Sequence, residues 1–158
     1  MTDATLEELV FEELDGDEGN KLRAYDDANP RALLTPGYVI QGKITIGRGR
    51  NLVDRGITEE ESRQLLENDI AAAIAALDLA LPWLRDESPR RQAALICLYF
   101  NVDEGNVEGF EAKWPNFIRQ MAGQDYSGAA ANLKNSHPWV DEVGVGRASR
   151  MAQMILAG

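Results

Sequence analysis

Cysteine, histidine and long apolar runs are all scarce in this chain, and each scarcity removes a class of function. The one cysteine, Cys97, has no partner for an internal disulfide. Its place in the apolar run Ala93 to Phe100 predicts a buried, inert thiol. The one histidine, His137, comes with no cysteine cluster, so the sequence suggests no metal site and no cofactor. No stretch reaches the roughly 18 consecutive apolar residues of a membrane span. The start, Met1 to Glu13, is acidic where an export signal is basic and then apolar. The expectation is a soluble protein made without such a signal and not inserted in a membrane. Bases are outnumbered as well: 16 Lys and Arg against 26 Asp and Glu leave a net charge of −10. That balance argues against nucleic acid as a partner, because phosphate binding relies on clustered bases.

What is present suits a single domain spanning residues 1–158, since a chain of this length with 44% apolar residues can bury most of its surface. Ten acids and two bases lie between Met1 and Asp27, a balance of −8, and the remainder carries only −2. Most of those acids read as a solvated helix face. Thr5 and Glu8 have capping-box spacing, and Leu6, Val10 and Leu14 recur every four residues, which predicts a helix over 5–18 that stops at Gly19. Between Lys21 and Asn51, prolines and glycines punctuate short β-prone stretches, predicting a small antiparallel sheet. In Lys43-Ile44-Thr45-Ile46 the alternation turns the isoleucines to one face and Thr45 away from the packed side.

A second capping box, Thr58 with Glu61, opens an apolar stripe of Leu66, Ile70, Ala73, Ile74, Leu77 and Leu81, a long helix over about 58–81. From Ser88 onward the chain reads helical: Pro89 to Val102, Pro115 to Met121, Tyr126 to Lys134 and Val145 to Leu156. The run Ala93 to Phe100 is apolar all round, as suits the central helix of a bundle. The architecture expected is α+β, mainly α. A small antiparallel β lobe (about 19–57) is joined by a long helix (about 58–81) to a helical C-terminal lobe (about 82–158). Helix 5–18 packs on that second lobe, and a cleft between the lobes could hold a linear substrate.

Leu6, Val10, Leu14 and Glu18 share one helical row, so Glu18 is aimed along the face that packs inward. Desolvation, the negative end of its own helix dipole and its acidic neighbours all raise its pKa. A carboxylic acid kept protonated near neutral pH is what a glycosidase uses to protonate a leaving-group oxygen. The same spacing equally describes a glutamate at a helix end facing solvent.

The order of motifs is more specific. Asp17-Glu18-Gly19 is followed by Leu22, Ala24, Tyr25 and Asp27, then Thr45-Ile46-Gly47-Arg48-Gly49, then Gly56-Ile57-Thr58-Glu59-Glu60-Glu61. Further on come Ala93-Ala94-Leu95-Ile96, Phe100-Asn101, Gly109-Phe110, Ala129-Ala130-Ala131-Asn132-Leu133 and Gly146-Arg147-Ala148. Over residues 5 to 157 the chain resembles the phage-lysozyme muramidases. The resemblance implies a lysozyme-like fold and hydrolysis of the β-1,4 bond between N-acetylmuramic acid and N-acetylglucosamine in peptidoglycan. It implies Glu18 as general acid, Asp27 as second carboxylate and Thr45 as a hydroxyl holding the attacking water. Inversion needs an acid and a water-holding base with carboxyl groups about 6.5–9.5 Å apart. Arg147 is implied to face the glutamate across the cleft, where a cation opposes the rise in its pKa. Phe100 and Asn101 are implied to contact sugar.

From the residues alone, Asp27 also reads as a turn residue in Asp26-Asp27-Ala28-Asn29-Pro30, Arg147 as a surface ion-pair arginine and Phe100 as core. The implied biology is a phage or prophage endolysin. It would be a monomer whose partner is the glycan strand, waiting in the host cytoplasm for release through a holin and then acting on the wall. A lytic transglycosylase, which needs no second carboxylate, and a non-catalytic peptidoglycan-binding phage protein are the alternatives.

Three departures from the family pattern stand out. Arg50 replaces a histidine common after the second glycine of Thr-Ile-Gly-x-Gly, and is expected to pair with Asp69. The stretch Asn29 to Gly42 is an insertion of about a dozen residues, expected to lengthen the sheet hairpin at the cleft rim and separating Asp27 from Thr45. The acidic net charge disfavours long-range steering toward an anionic wall, with Lys43, Arg48, Arg50 and Arg55 as a local offset.

Overall fold

A computed structural model describes residues 5–18, 20–102 and 106–158, with the backbone alone at Leu9, Glu13, 15–18 and Val102. Two compact units divide the chain, Met1–Ser62 and Arg63–Gly158. The secondary structure is mainly helical with one small antiparallel sheet, the α+β, mainly α, lysozyme-like class.

The first unit begins with helix α1 (Leu6–Glu18). Its start is fixed reciprocally, as the spacing predicts: the Glu8 amide donates to Thr5 Oγ1 (3.2 Å), and the Thr5 amide to Glu8 Oε2 (2.7 Å). Gly19, the expected stop, lies outside the described residues. Strands β1 (Lys21–Asp26), β2 (Ile44–Gly47) and β3 (Arg50–Asn51) form an antiparallel sheet in the order β1-β2-β3. Tyr25 and Asn51 flank Thr45 across the two ladders. The β2–β3 turn needs Gly47 and Gly49, whose φ values of +64° and +79° strain any side chain.

The insertion does not lengthen the hairpin. Residues 30–43 form turns rather than strand, with only the isolated bridge Asp26 to Asn29. Pro30 and Pro36 lack the donors a ladder needs, and the amides of Gln41 and Gly42 are taken by a side chain, the Asp26 carboxylate. Arg50 departs from expectation too. Its guanidinium forks onto Glu61 (3.1 and 2.9 Å) rather than Asp69, and its Nε donates to the Gly56 carbonyl. Glu61 is within reach because it also closes the capping box at Thr58, at the mouth of helix α2 (Glu59–Ala80).

The division between the units falls inside α2, after Ser62. Only the later part of the apolar stripe on α2 is buried: Ala73 and Leu77, with Leu81 just beyond, are covered, while Leu66, Ile70 and Ile74 are exposed. A 3₁₀ turn (Pro82–Asp86) leads to α3 (Pro89–Val102), α4 (Val107–Lys113), α5 (Pro115–Ala122), α6 (Tyr126–Asn135), α7 (His137–Val143) and α8 (Val145–Ala157). Ala94, Leu95, Leu98 and Tyr99 of α3 are buried, whereas Cys97 and Phe100 are exposed. The run, though apolar all round, is therefore buried on one face only and is not fully enclosed as a central helix would be, because positions 97 and 100 fall outside the face shared by 94, 95, 98 and 99. Cys97 is not the buried thiol expected, and Phe100 is not a core residue.

Phe110, Phe117, Met121, Leu133, Trp139 and Ile155 complete the core, with Trp114 edge-on to Trp139 (5.9 Å between centroids, 85°). A polar clasp joins α3, α6 and α8. Arg91 lies over the Tyr126 ring, donates from Nε to the Ile155 carbonyl (2.9 Å) and pairs with Glu87 (3.5 Å).

Candidate active site

Two adjacent aspartates close β1, and the fold uses them oppositely. Asp26 is fully buried. Its carboxylate accepts from the amides of Ala28 (3.1 Å), Gln41 (2.7 Å) and Gly42 (2.8 Å) and from the Tyr38 hydroxyl (2.9 Å). The Gln41 amide foremost, then Tyr38, Gly42 and Ala28, hold its pKa below the ordinary aspartate value, against the opposing effect of burial. Asp26 therefore ties the two ends of the insertion to each other. Asp27 is also the turn residue its context predicts, since the Asn29 amide donates to the Asp26 carbonyl (3.0 Å) and puts Asp27 and Ala28 at the corner.

Asp27 is exposed. Its Oδ1 accepts from the Lys43 amide (2.6 Å) and its own amide donates to the Lys43 carbonyl (3.0 Å). One carboxylate oxygen is thus fixed by the backbone, and Oδ2 has no hydrogen-bond partner among the described residues. Thr45 reaches the same peptide: its hydroxyl donates to the Lys43 carbonyl (3.3 Å). The insertion thus leaves the pair together, because it leaves and returns through one point, the Lys43 backbone. Thr45 does not look away from the packed side. It is 4% exposed, between Tyr25 and Asn51 in the ladders, while Ile44 and Ile46 are only half-buried.

Gly42 was not singled out from the sequence, yet the site depends on it. A methyl group there would overlap Asp27 Oδ1 and crowd the Ala28 backbone. The signal was available: a glycine two residues before the returning strand, where one backbone segment must pass close to another.

Glu18 closes α1, three residues before β1 begins; its side chain lies outside the described residues. The remaining candidates belong to the second unit. Phe100 is 45% exposed on α3, and Asn101 turns its amide nitrogen back onto the Cys97 carbonyl. Arg147, in the first turn of α8, is half-buried and forms no ion pair among the described residues. Gln120, Asn132, Asn135 and Ser136 line a polar groove on this unit, with Asn132 donating to Gln120 (3.3 Å).

A mainly helical α+β chain with one small three-stranded antiparallel sheet belongs to the lysozyme-like fold class. Within that class, a family model described as phage lysozyme matches residues 15–151, and the chain belongs to this family of peptidoglycan-lytic phage enzymes. No curated protein matches the chain.

Proposed function

We propose that the protein is a muramidase that hydrolyses the β-1,4 bond between N-acetylmuramic acid and N-acetylglucosamine with inversion. The observation that carries this reading is that Asp27 and Thr45 both bond the backbone of Lys43, with Asp27 Oδ2 unbonded among the described residues. Glu18 protonates the leaving-group oxygen, and Asp27 accepts a proton from the water that attacks the opposite face of the sugar. Water is a weak nucleophile, so a carboxylate held on one oxygen by a backbone amide supplies orientation as well as basicity. Thr45, covered and bonded to the same peptide, steadies that arrangement and offers its hydroxyl oxygen as an acceptor to the water.

Phe100, Asn101 and Arg147 are the candidates for contacts to the glycan. In this reading the protein is a monomeric endolysin that collects in the host cytoplasm and reaches the wall through a holin-type opening. Family membership supports the endolysin theme.

The test is turbidity loss of a peptidoglycan suspension by the wild type, Glu18→Gln and Asp27→Asn, with mass analysis of the soluble fragments. Clearing by the wild type only, with hydrated reducing-end muramic acid, is expected. Anhydro ends would reassign the chain to the lytic transglycosylases, and binding without fragments would make it a non-catalytic wall-binding protein.

A further inference from the structure

The insertion has a chemistry that glycan cleavage does not call on. Between Asn20 and Thr58 there are seven bases and three acids, one of them the buried Asp26, a balance of +4. The remaining positions hold nine bases and 23 acids, or −14. From Ala28 through Val53 there is no acid at all. On this acid-free background the insertion displays aliphatic side chains to solvent. Leu33 and Val39 are each 75% exposed, Ile40 is 51% exposed, and Leu34 is exposed as well.

These residues are not exposed for want of structure. The Asp26 carboxylate pins the loop at residues 28, 38, 41 and 42, and its interior is closed by turns: Ala32 to Asn29, Thr35 to Leu33, and Tyr38 to Thr35. The loop's backbone donors at 28, 41 and 42 and the Tyr38 hydroxyl are thus tied down, while four aliphatic side chains stand clustered in solvent.

We propose that residues 28–43 form a docking loop for the surface of an anionic phospholipid bilayer. Leu33, Leu34, Val39 and Ile40 would enter the headgroup and acyl boundary, with Arg31 at the phosphates. Lys43 and Arg50 are paired with Asp54 and Glu61, which leaves Arg31 as the base the loop itself supplies. On β1, Leu22 stands 81% exposed between Lys21 and Arg23 and repeats the same pattern.

Exposed aliphatic groups gain nothing from a hydrated polyanion such as a wall polymer, whereas aliphatic groups with bases and no acids match a lipid interface. The acidic remainder of the chain is repelled by the same surface. Attachment is therefore peripheral, reversible and salt-sensitive. It does not rest on the muramidase reading.

The experiment is cosedimentation of the full chain with mixed phosphatidylglycerol–phosphatidylcholine vesicles and with pure phosphatidylcholine vesicles, at low and high salt. Binding to the anionic vesicles only, lost in high salt, is expected. Arg31→Gln should weaken it about fivefold, the worth of one base at an anionic surface. The pair Leu33→Ser and Val39→Ser should abolish it without lowering Tm or peptidoglycan clearing. Absence of vesicle binding, or binding indifferent to these substitutions, overturns the proposal. So does a fall in Tm of the serine variant, which would make these side chains part of the core. Loop-dependent retention on purified peptidoglycan without vesicle binding makes the loop a wall contact instead, and loop-dependent self-association makes it an interface between copies; either result overturns the lipid assignment.

Discussion

The two units are held together on different terms. Every hydrophobic residue buried among the described residues, from Ala73 to Ile155, belongs to the second unit. In the first, the buried residues described are Asp26 and Thr45, both polar. One unit is an apolar core, made by burying area at about 25 cal/mol per Å². The other is a hydrogen-bonded frame in which a carboxylate replaces the core. A frame of that kind sets atoms with directional precision and resists unfolding poorly, which is what the roles proposed for Asp27 and Thr45 would call for. An apolar core does the opposite.

The largest expected effect tests the apolar side of this contrast. Phe117 is fully buried on α5, edge-on to Trp114. Phe117→Ala should cost about 3–5 kcal/mol, read as a lower urea midpoint followed by tryptophan fluorescence. All three tryptophans, Trp83, Trp114 and Trp139, lie in the second unit and report on it alone.

The next effect separates the units. Asp26→Asn keeps the shape but replaces an acceptor-only group with one that must present N–H to an amide. The amides of Gln41 and Gly42 should lose hydrogen-exchange protection by about tenfold or more, with the tryptophan signal unchanged. pH gives the same answer in the wild type. Because the folded-state pKa of Asp26 is depressed, its stabilisation is fully present above the ordinary value of 3.8 and is lost as pH falls through the lower folded value. The loop should therefore open in acid below that value, seen as a shift of the Gln41 and Gly42 amide resonances. In Asp26→Asn this step should be missing. If the tryptophan core melted in step with those amides, the two units would not be energetically distinct.

The sequence is more legible in the second unit, and the reason is physical. Helices α3, α5, α6 and α8, like α1 and α2 before them, were readable from apolar period, capping pairs and proline positions. α4 and α7 were missed because seven residues hold too few turns for a period to register. Their local cues, Asn106 accepting from the Gly109 amide and Pro138 in a first turn, become visible only once the helix is known. In the first unit the ordering of motifs marked Asp27 and Thr45 as candidates, but pattern could not orient them. Alternation put the isoleucines of β2 inward, whereas Thr45 is the covered residue. Nothing local distinguishes Asp26 from Asp27, since the donors that bury Asp26 arrive from positions 38 to 42.

A smaller change in stability, with a larger one in chemistry, is expected at Gly42. Its φ is ordinary, so the cost of a side chain is contact rather than strain: a methyl group meets Asp27 Oδ1 and Ala28. Gly42→Ala should displace the Asp27 carboxylate from the Lys43 amide by a fraction of an ångström to about one ångström. Misplacement on that scale costs about a hundredfold in rate. Peptidoglycan clearing should fall accordingly, with the urea midpoint of the tryptophan core unmoved. Equal losses of clearing and core stability would mean that the hydrogen-bonded frame also supports the second unit.

The smallest effect lies inside the apolar core. Tyr99 is buried on α3 against Phe110 (5.4 Å, 86°), and its hydroxyl has no hydrogen-bond partner among the described residues. Burial raises its pKa, so the group stays neutral, and an unpartnered neutral hydroxyl costs desolvation without return. Tyr99→Phe removes that cost and leaves the edge-on ring contact in place, so Tm should hold or rise by a few degrees at most. The same oxygen deletion at Tyr38, whose hydroxyl is bonded to Asp26, should loosen the insertion and raise amide exchange at Gln41. Opposite signs for one chemical change follow from what surrounds each hydroxyl: apolar packing in one unit, a carboxylate acceptor in the other. A destabilising Tyr99→Phe would show that the second unit also depends on a buried polar contact, and the contrast between the units would then be one of degree.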